Sequence, residues 1–171
     1  TYDRDWSAAE QHLTRALQIF PGHAMARYWM AHYLLTRGRA TDAVAQEEKA
    51  LENDPLSPFA HGQLGWMLFL TRQFDRAEAE SRRALELNPA LVFVHTVLGH
   101  VLLAKGGDPG EAIASYESAV KAARRHPSWL GWLGMALGLV GRTDEARAVL
   151  AELTAAAEKA EAACPRVLAI A

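Results

Sequence analysis

The chain reads as an all-α solenoid, a right-handed stack of antiparallel helix pairs, and three features of the sequence predict it. Alanine recurs at Ala9, Ala43, Ala77, Ala112 and Ala146, at steps of 34, 34, 35 and 34 residues, a regularity that one irregular core would not need. Pro21, Pro55 and Pro89 keep the same step, each shortly after an apolar and basic stretch, where proline stops one helix and starts the next. Counting repeats from Ala24, Pro58, Val92 and Pro127, position 8 holds Ala31, Gly65, Gly99 and Gly134, and the recurrent alanines fall at position 20. Glycine inside a helix costs about 1 kcal/mol relative to alanine, so something must require it. Close approach of two antiparallel helices, axes roughly 8–10 Å apart with positions 8 and 20 facing each other, is the simplest requirement.

The elements follow in order from caps and breakers. Thr1 falls at position 12, so residues 1–23 form a partial repeat in which Asp5 to Phe20 read as a second helix without its first-helix partner. Full repeats are expected over 24–57, 58–91, 92–126 and 127–160, with paired helices over 23–37 and 41–53, 57–71 and 74–87, 91–105 and 109–124, and 128–140 and 143–159. Gly38 and Gly141, at position 15, suit the left-handed residue that closes a helix. Asp108, Pro109 and Glu111 supply a cap, a first-turn proline and an acid near the positive helix end. The third repeat carries the single inserted residue, within Gly106 to Gly110, read as a tolerated surface insertion rather than a ligand loop. Pro165 to Ala171 reads as the start of a further first helix. A solenoid end normally carries a polar cap, so the chain is expected to be a piece of a longer polypeptide.

The step near 34 is the tetratricopeptide length, and over nearly its whole length the chain resembles the tetratricopeptide repeat family, most clearly at Leu64, Gly65, Ala77, Ala84 and Pro89. Departures exist: the family's position-4 Trp is replaced by Arg27, His61, His95 and Leu130, and its position-11 Tyr by Leu34, Leu68, Leu102 and Leu137. The aromatic weight has moved to Trp29, Trp66, Trp129 and Trp132. The stretch Ala50 to Pro89 also resembles the C-terminal repeat regions of bacterial multidomain regulators, which implies a docking or sensing arm for an effector elsewhere in the polypeptide.

Composition excludes several classes. Hydrophobic residues make up 50% and charged residues 22%, with mean hydropathy −0.08 and no apolar run long enough to span a bilayer. The formal net charge of −2 lacks the electrostatic footprint of a nucleic-acid binder. Lone Cys164 excludes an internal disulfide. The sequence holds no phosphate-cradling glycine loop ending in Lys-Ser/Thr, no Gly-x-Ser-x-Gly elbow and no His-Glu-x-x-His, and Gly131, Gly134 and Gly138 lie inside a helix. His95 and His100 are five apart and do not share a helical face, so neither metal nor cofactor is expected. A cytoplasmic location is expected, any targeting signal lying outside this stretch.

In proteins that resemble this one, first helices line a concave groove, with positions 2, 5, 9, 12 and 13 towards the ligand. Carried across, the resemblance implies a groove with Tyr28, His32, Leu35, Phe59, Trp66, Phe69, Phe93 and His100, the phenylalanines being open to either core or groove. The Lys and Asn of the family's carboxylate clamp are missing at positions 5 and 9, so a charge-led clamp is not expected. An apolar, aromatic groove suits an amphipathic helix or a leucine-rich extended segment. The predicted function is a non-catalytic protein-interaction scaffold; the alternative is a site for a small apolar or lipid-like ligand. Small residues Ala31, Ala43, Gly65, Ala77, Gly99, Ala112, Gly134 and Ala146 are assigned to packing. Apolar faces at the solenoid ends leave homo-oligomerisation open. Position 24 holds Glu47 and Ser81 where the family has an aromatic, which predicts polar pairs Glu47 with His61 and Ser81 with His95.

Overall fold

The computed structural model describes residues 6–163, with side chains as far as residue 159. The expected helix start at Pro165 to Ala171, and Cys164, lie outside the described residues. Among them are nine helices and no strand: α1 Trp6–Ile19, α2 Ala24–Thr36, α3 Ala40–Asn53, α4 Pro58–Leu70, α5 Phe74–Leu87, α6 Val92–Lys105, α7 Pro109–Ala122, α8 Pro127–Leu139 and α9 Thr143–Ala163. Helix α9 runs past the expected stop at 159, because its alanine- and glutamate-rich end offers no breaker before Pro165. None of the described helices is long and apolar enough to cross a membrane.

The helices pair as α2 with α3, α4 with α5, α6 with α7 and α8 with α9; each pair stacks on the next, and α1 packs on α2. First helices α2, α4, α6 and α8 are apolar nearly all round, with only Arg27 and Lys105 carrying a fixed charge. Each can therefore bury one side against its second helix and still present an apolar surface opposite. Tyr116, Met67, Leu68, Ile113 and Leu130 are wholly enclosed between the layers.

The close approach is present, with a fuller set of partners than position 20 alone. A Cβ on Gly65 would lie 2.7 Å from Ser81 Oγ and 3.3 Å from the Ala77 carbonyl oxygen. On Gly99 it would lie 2.6 Å from the Tyr116 ring, so position 24 rather than Ala112 forms the wall there. Opposite Gly134 the nearest atom is Val149 Cγ1, at 3.1 Å. Ala31, Ala43, Ala77 and Ala112 are fully buried, whereas Gly134 and Ala146 are half-buried at the looser α8–α9 pair.

The expected pairs of Glu47 with His61 and Ser81 with His95 do not form. Side chains on a helix lean towards its N-terminus, so a position-4 imidazole reaches back to the turn before its own helix. His61 Nε2 lies 3.0 Å from the Pro55 carbonyl oxygen and His95 Nε2 2.9 Å from that of Pro89, the same contact one repeat apart. His61 Nδ1 meets Glu80 Oε2 at 2.6 Å. Ser81 Oγ donates to the Ala77 carbonyl at 2.7 Å, and Glu47 Oε1 is buried without a hydrogen-bond partner. The turns themselves are fixed by Asp54 Oδ1 accepting from Leu56 N–H and Asn88 Oδ1 from Ala90 N–H, at 3.3 and 3.0 Å.

Second helices are joined across repeats by ion pairs, of opposite sense at the first two junctions. Glu48 on α3 meets Arg76 on α5 at 2.6 Å, and Arg82 on α5 meets Glu111 on α7 at 2.8 Å. Lys105 at the end of α6 reaches Asp75 and Glu78 on α5 at 2.7 and 2.6 Å.

Candidate functional site

The free sides of the four first helices converge on a cavity of about 320 Å³. Helix α2 contributes Tyr28 and His32, α4 contributes Gln63 and Trp66, α6 contributes Phe93, Thr96, Val97 and His100, and α8 contributes Trp129 and Trp132. The helices are set by local signals: the N-terminus of α4 is capped by Ser57 Oγ, and those of α2 and α8 by the Nδ1 atoms of His23 and His126. The lining includes no Asp, Glu, Lys or Arg side chain.

The rings meet in tilted, edge-on and stacked contacts. Tyr28 lies 4.5 Å from His32, centroid to centroid, and 5.9 Å from Phe59, which in turn lies 6.3 Å from Phe93. His100 is the hub of the other half: it stacks on Phe69 at 5.5 Å, meets the edge of Trp132 at 4.8 Å and lies 6.2 Å from Trp66. The Tyr116 hydroxyl lies 2.7 Å from His100 Nδ1. Donation from the phenol to Nδ1 satisfies both groups and leaves the ring proton on Nε2. Burial lowers the pKa of both His32 and His100, so both imidazoles are favoured in their neutral form, and burial raises that of the Tyr116 phenol.

Of the eight groove residues named from sequence, the structure brings Tyr28, His32, Trp66, Phe93 and His100 to the cavity. Leu35 and Phe69 pack instead against the core between α2 and α6, and Phe59 lies outside the lining, 38% exposed, bridging the Tyr28 and Phe93 rings. Sequence reasoning, which also carries position 5 of the third repeat to Thr96, missed Gln63, Val97, Trp129 and Trp132. The signal that could have found most of them is the position-6 column, Trp29, Gln63, Val97 and Trp132, which the family's ligand positions omit. Gln63 and Thr96 are 8% and 5% exposed, at the base of the cavity.

A family model described as tetratricopeptide repeat matches residues 2–58 and 30–91, and a second of the same description matches 102–169. No curated protein matches the chain. Among solved structures, the fold is similar to that of MamA, with TM-score 0.72, 22% identity, and 92% of this chain and 91% of that one covered. It is also similar to PilF of Pseudomonas aeruginosa, with TM-score 0.74, 24% identity and coverage of 88% and 68%. YrrB, described as a tetratricopeptide repeat protein with an unusual peptide-binding site, aligns with TM-score 0.64, 24% identity and coverage of 83% and 73%. With family models matching most of its length and a solenoid of the same shape, the chain belongs to the tetratricopeptide repeat family, whose stacked helix pairs serve as scaffolds for protein–protein interaction.

Proposed function

We propose that this chain is a non-catalytic docking module that holds a peptide or helix of another protein in its concave groove, as the docking or sensing arm of a larger bacterial regulatory protein. The observation that carries the reading is the cavity itself: an uncharged, ring-lined depression built jointly by four successive first helices. A surface of that kind gains affinity by burying apolar area, at about 25 cal/mol per Å², rather than by gripping a terminal carboxylate. Exposed Met25, Trp29, Phe59, Met135 and Leu139 on the same helices extend the apolar surface. The sequence lacks any catalytic constellation, in keeping with a binding role. The repeat boundaries at 24, 58, 92 and 127 belong to the same proposal.

Affinity capture with the parent chain, Trp66→Ala and the second-helix control Arg83→Ala tests it. A protein retained by the parent and by Arg83→Ala is expected to be lost with Trp66→Ala; equal recovery with all three would move the binding surface away from the groove. A second reading, a small apolar or lipid-like ligand, is favoured by the cavity volume, which lies at the low end of the roughly 300–1,000 Å³ of ligand pockets. A small molecule retained by the purified chain in native mass spectrometry would select it.

A further inference from the structure

Three properties of the cavity restrict what can occupy it. First, its lining carries no charged side chain, and burial keeps His32 and His100 neutral, so a charged occupant would lose its hydration with no counter-charge in return. Second, its walls are rings: Tyr28, Trp66, Phe93, Trp129 and Trp132 present faces and edges that match another aromatic group in the offset or edge-on arrangements that such groups prefer. Third, it contains polar atoms with nothing to bond. The Gln63 amide, on a residue 8% exposed, lines the cavity and forms no hydrogen bond to the described residues. Polar groups in so enclosed a place are ordinarily satisfied, so a bare amide is an open hydrogen-bonding position.

Each property removes a class of occupant. Lysine, arginine and quaternary ammonium groups would gain a cation–π contact from the rings but no carboxylate to neutralise them, and the lysine peptide below tests them directly. Leucine and phenylalanine would fill the volume yet leave the Gln63 amide bare. The group that answers all three is flat, neutral and able to hydrogen-bond at its edge. We propose that the cavity is the seat of an anchoring tyrosine or tryptophan side chain of the partner polypeptide, its hydroxyl or indole N–H bonded to the Gln63 amide. This rests on the groove reading given above and adds to it the identity of the anchor.

The cavity supplies its own reporters, because Trp66, Trp129 and Trp132 line it whereas Trp6 lies on α1. Acetylated and amidated peptides Ser-Ala-Xaa-Ala-Ser, with Xaa tyrosine, tryptophan, phenylalanine, leucine or lysine, are titrated into the ¹⁵N-labelled chain while the indole N–H signals are followed. The tyrosine or tryptophan peptide is expected to shift the Trp66 and Trp132 signals saturably and to bind about tenfold tighter than the phenylalanine peptide. In Gln63→Leu, or in Gln63→Met if Gln63→Leu disturbs the fold, that preference is expected to shrink while phenylalanine binding persists. Equal binding of phenylalanine and tyrosine, tighter binding of lysine, shifts confined to Trp6, or no saturable shift with any peptide would each overturn the proposal. The groove reading fails separately: it falls if Trp66→Ala retains the partner protein, whichever peptide binds.

Discussion

Glu47 sits on α3 with 1% of its surface exposed and Oε1 unbonded, and burial pushes its pKa from 4.5 up to about 7. Because the folded state holds the proton more tightly than the unfolded state, stability is highest below the unfolded value and is lost as pH rises from about 4.5 through about 7. The loss amounts to about 3 kcal/mol for a shift of this size. Urea unfolding of the parent at pH 5 and pH 8 should show it, and Glu47→Gln should flatten the difference; an unchanged pH dependence in that variant would assign the effect to another group. The residue also shows where sequence reading stops. The exchange of an aromatic for Glu47 and Ser81 at position 24 was legible from the period together with the resemblance to the family. The partners were not, because a position-4 histidine has an acceptor in its own preceding turn, nearer than the neighbouring repeat, and periodicity carries no information on rotamers.

At the scale of the element, closure of the first helices was half legible. Gly38 and Gly141 announced a left-handed residue at position 15, and the structure extends it to Gly106 and to Arg72, with φ of 75°, 80°, 68° and 63°. An L-residue in that region costs roughly 1–2 kcal/mol, whereas the Arg72 guanidinium over the Phe74 ring at 5.6 Å returns about 0.5–1 kcal/mol. Arg72→Gly is therefore expected to raise stability by about 0.5 kcal/mol; a fall would show that the ring contact outweighs the backbone relief. Helix α8 offers a cleaner gain. A Cβ at Gly131 or Gly138 meets nothing within 4 Å, so the double alanine variant should gain about 1–2 kcal/mol in denaturant unfolding, whereas Gly134→Ala, 3.1 Å from Val149, should gain less. The small-residue period thus marked true packing positions on α4 and α6, while the extra glycines of α8 fall outside that pattern.

Across the whole molecule, burial is uneven. Helix α1 has no buried residue and Leu150 on α9 is 63% exposed, whereas Met67, Leu68 and Val101 in α4 and α6 are sealed. In a stack whose units touch only their neighbours, amide exchange should be slowest in α4 and α6 and fastest in α1 and the last turns of α9. Uniform protection would mean that the array opens as one unit. The architecture was legible because it repeats, and each further copy of the 34-residue step confirms the one before. The cavity was only partly legible: Tyr28, Trp66 and Phe93 stood out, but Gln63 is an ordinary polar residue until four helices are brought round it.

The ion pairs between second helices give the stack an order. Glu48 answers Arg76 and Arg82 answers Glu111, so the sign of the outgoing charge flips between the first two of these junctions, while Arg125 to Glu152 repeats the second sense at the third. Excise the unit between α3 and α6 and the flanking surfaces would meet acid to acid, Glu48 against Glu111. Each such clash is small at an exposed surface, about 0–1 kcal/mol, yet it tells against skipped or swapped modules that the near-identical hairpin shapes would otherwise allow. Shape lets any unit follow any other; around α4 and α5, charge singles out the neighbours that fit.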